Sequence, residues 1–202
     1  MSMTLVMDQA SSTHQPDVTQ AYFGLFHAAN PETGDTHYLL LKGKKEDGQL
    51  RILGGEAEGN ETAKAVIIRE TAEEMGIIEQ DGHTVINPVL YGLIHDVVDT
   101  AFASDKAQFV YSKRHELTEA QVARGWHPSH NNVYAIECDF ADLQRLFAGT
   151  EHQVTVEGIG TSLVSKTDLQ ENGFRDLRHP YEQRSIELHA TGSTELEIEF
   201  EH

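Results

Sequence analysis

Three features of the sequence predict an α/β fold. Strand-like and helix-like stretches alternate between residues 20 and 148, turn-forming residues separate the first two apolar runs, and one segment of helix length sets an apolar face against an acidic one. The runs AYFGLFHA (21–28) and HYLLLKGK (37–44) read as strands, and ANPETGD between them supplies the turn of an antiparallel hairpin. QLRIL (49–53) is a further short strand leading into the pair Gly54-Gly55. Beyond the acidic segment, NPVLYGLIHDVV (87–98), QFVYSK (108–113) and NNVYAIECDF (131–140) read as three more strands, and ADLQRLF (141–147) as a helix starting directly after the last. In the tail, QVTVEG (153–158) and TELEIEFEH (194–202) alternate with period two. The second places Leu196, Ile198 and Phe200 on one face and glutamates on the other, a pattern suited to a sheet edge. The polar stretch 167–185 permits a helix as far as Gly173 and carries no clearer signal.

The chain has 202 residues, 39% of them hydrophobic and 24% charged, enough apolar material for a single core. A net charge of −18 argues against coating a nucleic acid polymer, which requires clustered Lys and Arg. It leaves room for a small phosphorylated ligand where metal ions bridge the two anions. The first residues, MSMTLVMDQASSTHQPD, lack a basic start and a sustained apolar run, and no stretch of eighteen apolar residues occurs. A membrane span and a standard export signal are therefore not expected. The single cysteine, Cys138, suits a reducing cytoplasm and, in its apolar run, reads as a packed thiol.

The chemistry concentrates in GGEAEGNETAKAVIIRETAEEMGI (54–77). A helix is expected from just after Glu61 to Met75, ended by Gly76. At about 100° per residue, Glu70, Glu73 and Glu74 share one arc while Ile67, Ile68, Thr71 and Met75 turn away from it. Carboxylates at this spacing repel unless a cation offsets them. Mg²⁺ fits, because it takes oxygen ligands and fills its shell with waters and substrate phosphates. Arg69, one turn before Glu73, is placed to pin a carboxylate by a charge-assisted hydrogen bond. Taken alone, an acidic helical face is more often a solvated surface.

The spacing is more specific than the face. Gly55, five residues, Glu61, seven residues, Arg69-Glu70, Glu73-Glu74 and Gly76-Ile77 resemble the Nudix box at every charged and glycine position. Thr71 and Leu53 depart from its usual aliphatic residue and proline, both matters of packing and loop shape. The resemblance implies an α/β/α sandwich with a mixed β-sheet, followed here by a C-terminal extension containing β-strands. It implies a pyrophosphohydrolase dependent on Mg²⁺ or Mn²⁺ that cleaves a nucleoside diphosphate joined to another group. On this sequence the metal ligands would be Glu70, Glu73 and Glu74 with the Gly54 carbonyl, Glu61 a supporting acid and Arg69 an orienting residue. The general base in such enzymes is often an acid on a late loop or on the box itself. Here Glu116 and Glu119 lead on the loop, with His130 third.

The implied organisation is a flexible segment at 1–19, a Nudix domain at 20–150, and an extension at 151–202 packed on that domain or at a homodimer interface. Trp126 and Tyr111 could stack a base, though lone aromatics more often pack, and no subgroup signature names a substrate. A module of the same fold that binds a nucleotide metabolite without cleaving it is the alternative, disfavoured by the intact acidic core.

Overall fold

The computed structural model describes residues 18–43, 49–80, 83–115, 117–125, 127–150 and 158–196. A long strand, β1 (Thr19–Ala29), turns back into β2 (Thr36–Gly43), pairing His27 with Tyr38 as the hairpin reading requires. The expected strand at 49–53 is broken at Ile52. β3 (Leu50–Arg51) pairs with β2, and β4 (Leu53–Glu56) crosses to β1, where Phe23 faces Gly54. β1 therefore divides one edge between two partners, its second half holding β2 and its first half holding β4. The acidic segment follows as α1 (Ala63–Gly76), and the backbone then forms a small hairpin from β5 (Ile77–Gln80) and β6 (His83–Ile86).

Residues 87–98 are a helix, not the strand their β-branched content suggests. In α2 (Pro88–Ala103) the Asn87 side chain accepts from the amides of Val89 at 3.0 Å and Leu90 at 3.3 Å, and Pro88 occupies the first turn where no amide is missed. Leu90, Ile94, Val97, Val98 and Ala101 recur every three or four residues and are buried, a helical period that outweighs local strand propensity. Next come β7 (Ala107–His115), β8 (Ser129–Glu137) and α4 (Phe140–Thr150), close to the expected bounds, with the short helix α3 (Glu119–Ala123) in the expected loop between β7 and β8. β8 runs parallel to β1 over its whole length and antiparallel to β7. Cys138, just past β8, reaches the His27 carbonyl at 3.6 Å, and burial pushes its thiol up to about 12, as a packed thiol requires.

The remaining elements depart most from expectation. β9 (Gly158–Ser165), for which the sequence offered no strand signal, pairs antiparallel with β2. The polar stretch yields α5 (Lys166–Glu171) and α6 (Pro180–Thr191), the latter starting with proline and closing at Gly192 in a left-handed conformation. β10 (Glu195–Leu196) pairs in parallel with Tyr111 and Ser112 of β7 in the same chain, so this part of the tail needs no second copy. Leu196 is 44% exposed rather than buried. Ile198, Phe200 and residues 153–157 lie outside the described residues.

The result is a mixed sheet in the order β10-β7-β8-β1-β2-β3, with β4 added to β1 and β9 to β2, covered on both faces. Alternation along the strands assigns the two cores. Phe26, Leu39 and Leu41 meet α1, α2 and α4 on one face, whereas Phe23, Leu25, Tyr38 and Leu40 meet α5 and α6 on the other. No helix among the described residues is long and apolar enough to cross a membrane.

The second core contains a pair of imidazoles. His27 and His189 have ring centroids 4.0 Å apart, and Tyr38 Oη lies 3.0 Å from His189 Nδ1. Burial, and then the neighbouring His189, pull His27 down to about 3, and burial lowers His189 as well. The unfolded chain takes these protons near pH 6.5 while the folded chain refuses them. The contribution of these two groups is therefore full above pH 6.5 and is expected to fall by several kcal/mol as pH drops towards 3, at up to about 1.4 kcal/mol per pH unit per group. Urea midpoints across that range should fall less steeply in His27→Gln; identical slopes would refute the assignment.

Candidate active site

α1 presents its acids around a single guanidinium. Arg69 Nε and Nη2 donate to the two carboxylate oxygens of Glu61 at 3.0 and 2.8 Å, a forked pair across eight residues. Nη1 donates to Glu70 at 2.6 Å and lies 3.5 Å from Glu73, while Nη2 also meets the Glu56 carbonyl at 2.9 Å. The expected ionic partner one turn away, Glu73, is thus the most distant of the three acids. Hydrogen bonds from Arg69, and then from the Glu58 amide, hold Glu61 down to about 2. Burial raises Glu70 above the usual carboxylate range, an effect that Arg69 only partly offsets.

Glu74 corrects the expectation of a purely acidic face. It is 3% exposed against 38% for Glu73. Residues seven apart differ by only about 20° around a helix, so Glu74 follows Ile67 into the interior. Its burial is compensated: Oε2 accepts the Gly54 amide at 2.9 Å and Oε1 lies 3.6 Å from Arg51.

Two glycines make this approach possible. Gly54 has φ of 139°, and a Cβ there would collide with the Tyr22 carbonyl and come within 2.6 Å of Phe23 Cα. A Cβ on Gly55 would come within 2.5 Å of Glu70 Cδ, so the bare backbone is what lets the Glu70 carboxylate settle against β4.

Arg51 and Glu182 are partners the sequence did not reveal. Glu182, fully buried at the start of α6, accepts from the His179 amide at 2.7 Å and the Ile52 amide at 3.2 Å. Burial pushes its carboxyl up to about 7 against these bonds. Ile52 sits between β3 and β4, where the chain exchanges β2 for β1 as its partner, and its amide donates to Glu182. A carboxylate 130 residues downstream leaves no trace in a local sequence pattern. Of the loop acids, Glu119 stands exposed at the start of α3, whose first turn is capped by Thr118. Glu116 and Trp126 lie outside the described residues. His130 is buried, with Nε2 2.8 Å from Ser112 Oγ.

The donors fit a hard divalent cation. Glu70, Glu73 and Glu74 offer oxygen only, and the burial of Glu70 at the glycine cradle leaves a carboxylate whose ionisation a cation would favour. Among the described residues no three acidic, imidazole or thiol groups stand close enough together to form a ready ligand cluster. Outside these acids, a cavity of about 800 Å³ between α1 and α2 is bordered by Glu61, Arg69 and Glu73.

The sequence profile described as NUDIX domain matches residues 20–155. No curated protein matches the chain in sequence. Among solved structures, a MutT protein from Methanosarcina mazei Go1 superposes with a TM-score of 0.51 at 17% identity, over 88% of this chain and 96% of that one. A mutT/nudix family protein from Listeria innocua gives 0.50 at 15% identity, over 88% and 95%. Likeness at this identity speaks for the fold, a mixed sheet between helices. The profile spans most of the chain, from the sheet's first strand past α4, and includes the box from Gly55 to Ile77; the chain belongs to the Nudix hydrolase family.

Proposed function

We propose that this protein is a divalent-metal-dependent hydrolase that cleaves the pyrophosphate linkage of a nucleoside diphosphate joined to another group. The observation that carries the reading is the arrangement of α1 against β4. Arg69 ties Glu61, ahead of the helix, to Glu70 and lies 3.5 Å from Glu73, and the Gly54 amide holds Glu74, so that the acids of one turn of α1 stand beside a glycine backbone. Mg²⁺ or Mn²⁺ bound by Glu70, Glu73, Glu74 and the Gly54 carbonyl would supply charge stabilisation to the phosphoryl oxygens.

The chain's own groups do the rest. Glu61, kept ionised by Arg69, orients the guanidinium so that Glu70 cannot swing away. Glu74 ties the box helix to the strand that carries Gly54. Glu119, exposed at the start of α3 in the connection between β7 and β8, is the candidate among the described residues for removing a proton from water.

Incubating the protein with a panel of dinucleotides and nucleotide sugars, with and without Mg²⁺ or Mn²⁺, tests the proposal. Product release should vanish with chelator and return with either ion. Full turnover in metal-free buffer, or binding with no turnover on any compound, would overturn it.

A further inference from the structure

Three alternate amides of the stretch leading into the box find acceptors outside β1 and β2. The Leu50 amide donates to the Asp176 carbonyl at 2.6 Å, the Ile52 amide to Glu182 Oε1 at 3.2 Å, and the Gly54 amide to Glu74 Oε2 at 2.9 Å. The first two acceptors belong to one segment, residues 176–182, which also returns a bond: the Arg178 amide donates to the Leu50 carbonyl at 3.0 Å. The third is a carboxylate of the box. Glu182 is itself held, because its second oxygen takes the His179 amide at 2.7 Å. The carboxylate cannot turn from Ile52 without giving up the cap of α6.

Two further contacts tie the segment to Gly54. Tyr181 packs its ring on Phe23 at 5.2 Å, and Phe23 is paired with Gly54 across β1 and β4, its Cα and ring lying against the bare glycine. Arg51, between the two clamped residues, lies 3.6 Å from Glu74, and its charge also acts on Glu182. One cation therefore serves two buried carboxylates, one in the box and one in α6. The family profile ends at residue 155, so these contacts come from beyond the matched region.

We infer that residues 176–182 act as a clamp on the box and that Glu182 is a positioning residue for its cation site: holding the Ile52 amide sets where Gly54 stands against Glu74. The cation site itself rests on the hydrolase reading above. Two effects of removing Glu182 have the same sign. Without its acceptor the bend at Ile52 relaxes, and the Gly54 backbone is no longer fixed against Glu74. Without its charge Arg51 is drawn further to Glu74, in competition with an incoming cation.

The test is binding of Mn²⁺ alone to the full chain, without substrate and in about 0.15 M salt, read from the spin-resonance signal of the free ion. Glu182→Gln keeps the size of the side chain and one accepting oxygen, and should weaken Mn²⁺ binding about tenfold, as losing the partner behind a ligand does. Tyr181→Leu takes the ring off Phe23, leaves Glu182 in place and should weaken it about threefold. This second variant decides the matter if the first does not fold. Leu188→Ala, buried further along α6, is the control for general loosening. It should lower the urea midpoint at least as far and change Mn²⁺ binding less than about twofold. With any compound the protein cleaves, the Mg²⁺ concentration for half-maximal rate should rise in step in Glu182→Gln, while KM for the compound stays within about twofold. Parental affinity in both clamp variants, or an equal loss in Leu188→Ala, would overturn the clamp and leave the hydrolase reading intact. A parent chain that binds no Mn²⁺ would overturn that reading, and the clamp with it.

Discussion

Glu73→Gln is expected to cut turnover about a hundredfold or more while leaving stability within about 0.5 kcal/mol of the parent. Glu73 is the most exposed of the three box carboxylates, and its contact with Arg69 is long at 3.5 Å, so the fold loses little when its charge goes. Glu74→Gln should cost as much turnover and should also destabilise the protein. The buried Glu74 takes the Gly54 amide on one oxygen and faces Arg51 with the other. A glutamine can keep the first bond only by turning its amide group, a donor, towards a guanidinium. Leaving Arg51 opposite a donor should cost about 1–3 kcal/mol, below the value for a fully buried pair because Arg51 is partly exposed. Turnover at saturating Mg²⁺ and urea midpoints separate the two effects. Near-parental turnover in both variants would show that these carboxylates are not ligands, and equal midpoints would refute the supporting role of Glu74.

Alanine at Gly54 and at Gly55 should produce opposite failures although the residues are adjacent. At Gly54 the new methyl collides first with backbone, the Tyr22 carbonyl and Phe23 Cα, and then with the Phe23 ring, at a φ of 139° that side chains rarely adopt. Neither backbone neighbour can move without opening the β1–β4 pairing, so Gly54→Ala should lose about 3 kcal/mol or more and express as a destabilised protein. At Gly55 the methyl meets the Glu70 carboxylate, the far end of a flexible side chain. Gly55→Ala should therefore fold with a loss of about 1 kcal/mol while Glu70 is displaced and turnover drops at least tenfold. Thermal melts and turnover measured together check this, and a Gly55→Ala enzyme with full activity would show that the position of Glu70 is immaterial.

These results turn on features that differ in how plainly the sequence displays them. The hairpin of β1 and β2 and the box helix are local: turn residues, period and caps lie within a few positions of one another. The assignment of 87–98 failed because valine, isoleucine and tyrosine favour strands, while the decisive signals, Asn87-Pro88 and the recurrence of Leu90, Ile94, Val97 and Val98, needed a longer window. β9 was hidden because GIGTSLVS is short of both alternation and bulk, and its strand character comes from pairing with β2. Charge and glycine spacing singled out Glu61, Arg69, Glu70, Glu73 and Glu74 as candidates, and the fold gathers Glu61, Glu70 and Glu73 around Arg69. The burial of Glu74, the role of Arg51 and the reach of Glu182 depend on tertiary contacts that no local period encodes.

The link from Ile52 to Glu182 also bears on the order in which the protein matures. Synthesis proceeds from the N-terminus, so the box helix and its glycine turn leave the ribosome long before α6 exists. Until α6 is made, the Ile52 amide lacks its acceptor, and the bend that delivers Gly54 to Glu74 lacks its outer brace. Closing a contact across 130 residues is entropically late as well as chronologically late. A nascent chain can therefore carry every acid of the box without yet holding them in their final arrangement, and α6, the last of the described helices, brings the acceptor that braces the bend at Ile52.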